Sequence, residues 1–185
     1  MPSRREQLLD AAIGVLGNQG SRALTHRAVD AAASMPFGST ANYYKSRDAL
    51  ISAVVERFAE RDRIGWETIT TFVRPANAAE LAAGLIGYVQ RALGPERAVT
   101  VARYGLFLEA TLRPELRDPL AESARELRKW AATWLRQIGS ADPDGDCAAV
   151  FDYLDGVILH QLAFDGQVGG DWQAAVERAV LRLVA

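Results

Sequence analysis

Apolar residues recur every three to four positions along almost the whole chain, and this recurrence constrains the fold more than any other feature. Leu8, Leu9, Ala12, Ile13 and Leu16 form one such stripe, the spacing that puts side chains on one face of a helix. No stretch shows the period-two alternation and β-branched enrichment of a strand. Glycine and proline fall between the stripes, at Gly17 and Gly20, Gly94-Pro95, Arg113-Pro114, Gly139 to Gly145 and Gly166 to Gly170, where they end helices. The spacing predicts a first helix from a Ser3 cap, ended by Gly17 and Gly20. A second follows from a Thr25 cap, a short third from Pro36, and a long fourth from a Ser46 cap to about Phe72, stopped by Pro75. Five more are expected at 78–93, 96–112, 115–138, 144–165 and 171–184, with Pro119 kinking the 115–138 helix or delaying its start. The fold class read from this pattern is all-α.

Composition narrows the function. Of 185 residues, 49% are hydrophobic and 24% charged, ordinary for a globular protein. Cys147 is the only cysteine, so no internal disulfide forms and nothing points to an oxidising compartment. With only His26 and His160 beside it, a zinc site of Cys and His is excluded, and no metal or cofactor is expected. Asp10 interrupts the apolar stretch after Arg4 and Arg5, so the N-terminus does not read as a signal peptide. No apolar run approaches the ~20 residues of a membrane helix, and the cytoplasm is the expected location. The net charge of −2 hides an asymmetry. Residues 1–50 hold six basic groups (Arg4, Arg5, Arg22, Arg27, Lys45, Arg47) and four acidic ones (Glu6, Asp10, Asp30, Asp48), so that segment is +2 and the remainder −4.

The short second and third helices read as a helix-turn-helix around Ser34-Met35. Ala28, Ala31, Ala32 and Ala33 allow a close crossing, and Leu24 and Met35 supply apolar plugs. The third helix presents Ser39, Thr40, Asn42 and Tyr43. Gly38 leaves the backbone free to approach a phosphate or base. Arg27, Lys45 and Arg47 flank this face, where they could neutralise phosphates. Read from pattern alone, the hairpin fits DNA binding and a plain structural element of a helical bundle equally.

The stretch LTHRAVDAAASMPFGSTANYYKSRDAL, residues 24–50, resembles the DNA-binding domain of the TetR family of repressors. Leu24-Thr25, Arg27, Val29, Ala33, Gly38-Ser39, Tyr43-Tyr44, Ser46-Arg47 and Leu50 match its motif with the spacing intact. The resemblance implies that Thr25 and Arg27 contact phosphate, and that Ser39, Thr40 and Asn42 face base edges or phosphates. Tyr43 stands where the family often has histidine and would donate to phosphate. Tyr44 stands where phenylalanine is usual and would pack in the core. Arg47 replaces the usual lysine and keeps its charge. Three residues depart from the family pattern: Ala41 for tyrosine, Ser34 for glycine in the turn, and Pro36 for a serine cap. These departures bear on which operator is read.

The same resemblance implies two functional parts: a helix-turn-helix DNA-binding domain over 1–48, and a helical ligand-binding and dimerisation domain over 49–185. Aromatic residues at helical spacing in the larger part, namely Trp66, Tyr88, Tyr104, Phe107, Trp130 and Trp134, are candidates to line a pocket between helices. An apolar or aromatic small molecule is the expected ligand. The stretch VFDYLDGVILHQLAF is apolar on nearly all sides, as for a helix covered by more than its own domain. In the family the last two helices pair with a second copy, which places Leu154, Asp155, Ile158, Leu159, Leu162, Val176 and Val180 in a homodimer interface. His160 reads as a satisfied core histidine, and Cys147, near a helix start, as a thiol whose pKa could be lowered. Signatures such as GxxxxGK, HExxH and GxSxG are absent, and no catalytic residue is expected. The reading is a DNA-binding regulator, a repressor released from a palindromic operator by a small molecule. The alternative is a helical small-molecule-binding protein or enzyme whose N-terminal hairpin is structural.

Overall fold

The computed structural model describes residues 2–72, 74–167 and 170–183. Among them every regular element is helical: α1 (Arg4–Gln19), α2 (His26–Ala32), α3 (Ser39–Tyr43), α4 (Arg47–Phe72), α5 (Ala78–Leu93), α6 (Arg97–Leu112), α7 (Arg117–Gln137), α8 (Pro143–Phe164) and α9 (Trp172–Leu183), with 3₁₀ turns at Ser21–Ala23 and Pro114–Leu116. Side-chain caps fix most starts. Ser3 and Glu6 form a reciprocal capping box on α1, which satisfies two amides a helix start leaves open. Thr25, Ser46, Asn77, Asp142 and Asp171 each accept an amide of the first turn that follows, as expected of these residue types. Pro119 sits in the first turn of α7, where no amide is needed. The expected end of the last helix at 184 lies outside the described residues.

Two local expectations are corrected. Gly17 does not end α1, which continues to Gln19 and closes on Gly20 at φ 79°. Gly17 instead faces the backbone of Ala98 so closely that a Cβ there would run into the Ala98 carbonyl oxygen. Pro36 does not begin α3. It opens a turn, and the helix starts only at Ser39, with Gly38 as its left-handed cap at φ 91°. Ser34 also stands in left-handed backbone, at φ 54°, the conformation that glycine takes at least cost.

The chain divides into two compact units, Met1–Ile64 with Arg97–Ser123, and Gly65–Glu96 with Ala124–Ala185. The first has a core of Leu8, Ala12, Ile13, Leu16, Leu24, Val29, Tyr44, Leu50, Ile51, Val54 and Phe58, closed by Ala102, Leu106, Leu116 and Leu120. α6 lies along α1 in this unit. The second unit packs α5 on α8 and α9, with Leu81, Val89, Leu135, Val150, Leu154, Ile158, Val176 and Val180 buried. On length and composition α8 is long and apolar enough to cross a membrane, at mean hydropathy 1.2. Its Cys147, Val150, Leu154 and Ile158 are nevertheless buried within its own unit.

Candidate nucleic-acid interface and cavity

The turn between α2 and α3 is built around Asp30, whose residue is 2% exposed. Its carboxylate accepts the amides of Gly38 at 2.8 Å and Thr40 at 2.7 Å, and the Thr40 hydroxyl at 2.5 Å. Its carbonyl accepts the Met35 amide at 2.9 Å. Burial pushes the Asp30 carboxyl up, but the bonds from Thr40 and Gly38 outweigh it and hold the group below the ordinary aspartate range, because they favour the charged form. One buried anion thus satisfies the open amides at the start of a five-residue helix too short to hold itself. Asp30 leaves only a faint trace in the sequence: a lone carboxylate in the Ala28–Ala33 stripe, eight residues before a glycine and ten before a threonine.

Thr40 is corrected by the same contact. It is fully buried, and its hydroxyl is spent on Asp30, so it does not face a duplex. Asn42, Tyr43 and Lys45 are exposed, as are Thr25 and Arg27, while Gly38 and Ser39 are half-buried. Thr25 is occupied as a cap, and the Ser39 hydroxyl donates to the Pro36 carbonyl at 2.6 Å. Asn42 and Tyr43 share a cleft of about 390 Å³ with Arg4, Gln7, Ser34, Met35 and Pro36, so the start of α1 borders the face of α3. Tyr44 packs in the core as expected. Its hydroxyl accepts from Arg5 Nε at 3.0 Å, and its carbonyl lies 2.8 Å from His26 Nε2.

Arg47 stands at the junction of α4 and α6. Its guanidinium donates to the Ser21 carbonyl at 2.9 Å and lies 3.8 Å from Glu109. Glu109 also pairs with Arg113 at 3.3 Å, and Arg113 pairs with Asp48. The first turn of α4 is therefore tied to the last turn of α6 by four alternating charges.

The second unit holds a partly open cavity of about 400 Å³. Trp66, Tyr88, Trp130 and Trp134 all line it, together with Phe151. Ring centroids lie 5.2 Å apart for Trp66 and Tyr88, 6.4 Å for Trp66 and Trp130, 6.5 Å for Trp66 and Phe151, and 4.3 Å for Trp130 and Trp134. Such tilted aromatic walls suit a flat apolar guest. Glu80 and Arg91 are the charged residues of its lining. Tyr104 and Phe107 do not line it. They belong to α6 in the other unit, stacked edge-on at 6.1 Å. Cys147 lines the cavity but is buried, and burial pushes its thiol up to about 11, opposite to the lowered value expected from the helix start. Among the described residues no group of three or more His, Cys, Asp or Glu is placed to hold a metal.

The expected dimer residues separate into two faces. Leu154, Ile158, Val176 and Val180 are buried in their own unit. Asp155 and Leu162 are half-buried, and Leu159 is 48% exposed. The outward face of α8 carries Tyr153, Leu159, His160 and Phe164, with the His160 and Phe164 rings 5.8 Å apart. His160 is therefore an exposed residue, not a core histidine. The 3.6-residue period named the apolar positions of α8 but could not say which of its two apolar stripes stays at home.

Comparison with known proteins gives the following matches. A family model described as tetracyclin repressor-like, C-terminal domain, matches residues 76–185. The HTH-type transcriptional regulator BetI of Rhizobium meliloti (strain 1021) is 30% identical over 164 residues, which cover 86% of this chain and 78% of BetI. The solved structure of the multidrug binding protein EbrR complexed with ethidium superposes with a TM-score of 0.72 at 29% identity, covering 99% of each chain. A member of the TetR family from Streptomyces coelicolor A3, SCO1917, superposes with a TM-score of 0.69 at 28% identity, covering 100% of this chain and 99% of that one.

Proposed function

The chain belongs to the TetR family of DNA-binding transcriptional regulators, and on that premise we propose that it acts as a cytoplasmic homodimer on a palindromic operator and leaves it on binding a flat aromatic molecule. Residues 1–48 are the reading part, and 49–185 the part that takes the ligand and the second copy. Asn42 and Tyr43 supply groups to base edges and phosphate, the Gly38 and Ser39 backbone approaches the duplex, and Thr25, Arg27, Lys45 and Arg47 grip its phosphates.

The observation that carries the reading is the Asp30 clamp. It presents Asn42 and Tyr43 outward on a fixed α3, while Arg27 and Lys45 stay exposed nearby in sequence. The clamp would steady a purely structural hairpin as well; what favours DNA reading is that the groups it leaves outward are polar and basic. Two copies of α3 would enter successive major grooves about 34–36 Å apart, through an interface on the outward face of α8 with α9. For the ligand, the aromatic walls favour planar polycyclic compounds. EbrR, the structural relative, is complexed with ethidium in one structure and with proflavin in another, the latter at 28% identity and a TM-score of 0.66, covering 98% of this chain and 99% of that one. Moving the dimer from 99:1 to 1:99 in favour of the released form requires about 10⁴-fold tighter binding of ligand to that form.

Selection of bound duplexes from random DNA at defined salt tests the reading. The expected outcome is an inverted repeat with half-sites one turn apart, lost on adding ethidium. Recovery of no preferred duplex would return the chain to the rival reading of a helical carrier or enzyme.

A further inference from the structure

Phe37 is 83% exposed, and none of the roles assigned above uses it. Single exposed apolar residues are common and mean little by themselves. What distinguishes Phe37 is how it is mounted. The Ser39 amide donates to the Pro36 carbonyl at 3.1 Å, and Gly38 between them has φ 91° and ψ −4°. These are the marks of a type II turn with Phe37 at its first corner. The ring of Pro36 sets the backbone on one side. On the other, the Gly38 amide is held by the buried carboxylate of Asp30. Met35, two residues back, packs against the core. A large apolar ring is thus carried outward on a fixed corner, immediately ahead of the helix that presents Asn42 and Tyr43.

We propose that Phe37 is a specificity-determining residue that packs on the 5-methyl group of a thymine in the major groove. The proposal rests on the DNA-reading assignment made above. A phenyl ring has no donor or acceptor, so it reads none of the hydrogen-bonding pattern of a base edge, and phosphate offers it nothing. The apolar mark that a base pair shows in the major groove is the thymine methyl. Because the corner is already fixed, the contact does not have to order a loop on binding. The sequence signal was Pro-Phe-Gly ahead of a polar helix, in which the proline and glycine make the corner and the phenylalanine occupies it.

The test uses the duplex selected by the full-length wild-type protein. Each thymine of the half-site is replaced in turn by deoxyuridine, which removes the methyl and leaves the pairing edge intact. Wild type is expected to lose about fourfold in affinity at one thymine position per half-site, the loss of one buried methyl. Phe37→Ala is expected to bind the thymine duplex more weakly and to be indifferent to deoxyuridine there, while Phe37→Leu keeps part of the preference. Phe37 supports no core contact, so both variants should melt as the wild type does. Equal thymine-to-deoxyuridine ratios for wild type and Phe37→Ala at every position overturn the proposal while DNA reading stands. A wild type that retains no duplex overturns the reading itself, and the proposal with it.

Discussion

Asp30 and Thr40 are joined twice, by the Thr40 amide at 2.7 Å and by its hydroxyl at 2.5 Å, and both bonds end on the same carboxylate oxygen. Ten residues apart, these two fix the angle between α2 and α3. Asp30→Asn replaces one acceptor oxygen by an amide donor, which leaves at least one buried N–H facing a donor. The expected loss at pH 7 is about 2 kcal/mol of folding stability, with weaker DNA binding, by urea unfolding and by duplex titration.

The same carboxylate gives a pH dependence with a definite sign. Its folded-state pKa is depressed, so its contribution is present above the unfolded value of about 3.9 and is lost as pH falls through the lower folded value. The gap in stability between wild type and Asp30→Asn should therefore be constant near neutrality and should close below about pH 4. A gap that closes between pH 6 and 8 would assign the effect to some other group.

Gly17→Ala tests the contact between α1 and α6. The atom in the way is the backbone carbonyl of Ala98, which cannot rotate aside as a side chain does. The expected cost is about 2 kcal/mol, or roughly 4–8 °C in Tm for a chain of this size. An unchanged melting curve would mean that α6 moves freely along α1.

The helices themselves were legible in the sequence because capping residues and apolar stripes are local signals. Ser3, Thr25, Ser46 and Pro75 place their boundaries without reference to anything distant. Gly17 and Pro36 differ from their local signals for the converse reason. Gly17 answers to Ala98, and the turn after Pro36 answers to Asp30; neither partner can be seen by looking along one helix. The aromatic walls were two-thirds readable, since Trp66, Tyr88, Trp130 and Trp134 share the cavity, whereas Tyr104 and Phe107 form a similar helical pair on a helix of the other unit. Periodicity says that a face is apolar and is silent about what covers it. That silence is also why Leu154 and Leu159, five residues apart on α8, were given the same role.

Arg47→Ala separates two uses of one side chain. Its bond to the Ser21 carbonyl is worth about 1 kcal/mol at most for a partly exposed group, and that loss should appear as a small drop in stability without DNA. Its charge should appear in the duplex: weaker binding to every sequence, and a salt slope reduced by about one. A reduced stability with an unchanged salt slope would leave Arg47 a purely structural residue.

Cys147 reports on the cavity. With its thiol pushed up to about 11, the thiolate fraction at pH 8 is on the order of a hundredfold below that of an ordinary cysteine near 8.5. Alkylation by iodoacetamide should be slow in the folded protein and rapid in urea, and a cavity ligand such as ethidium should slow it further. Fast alkylation in the native state, unaffected by ethidium, would place Cys147 on an open surface.

Leu159→Glu tests the face of α8 that is left outward. Leu159 is 48% exposed, so a carboxylate there costs the single chain little. Buried against a second copy, it would meet the same charge across a two-fold axis in an apolar contact. The expected result is a folded monomer by sedimentation, with an unchanged helical signal and half-site DNA affinity only. Leu154→Glu is the contrasting variant: Leu154 is 1% exposed in its own unit, so that charge should unfold the chain instead of dividing the dimer. If Leu159→Glu sediments as a dimer, the second copy sits elsewhere, and the spacing of the two reading helices must be set by another face.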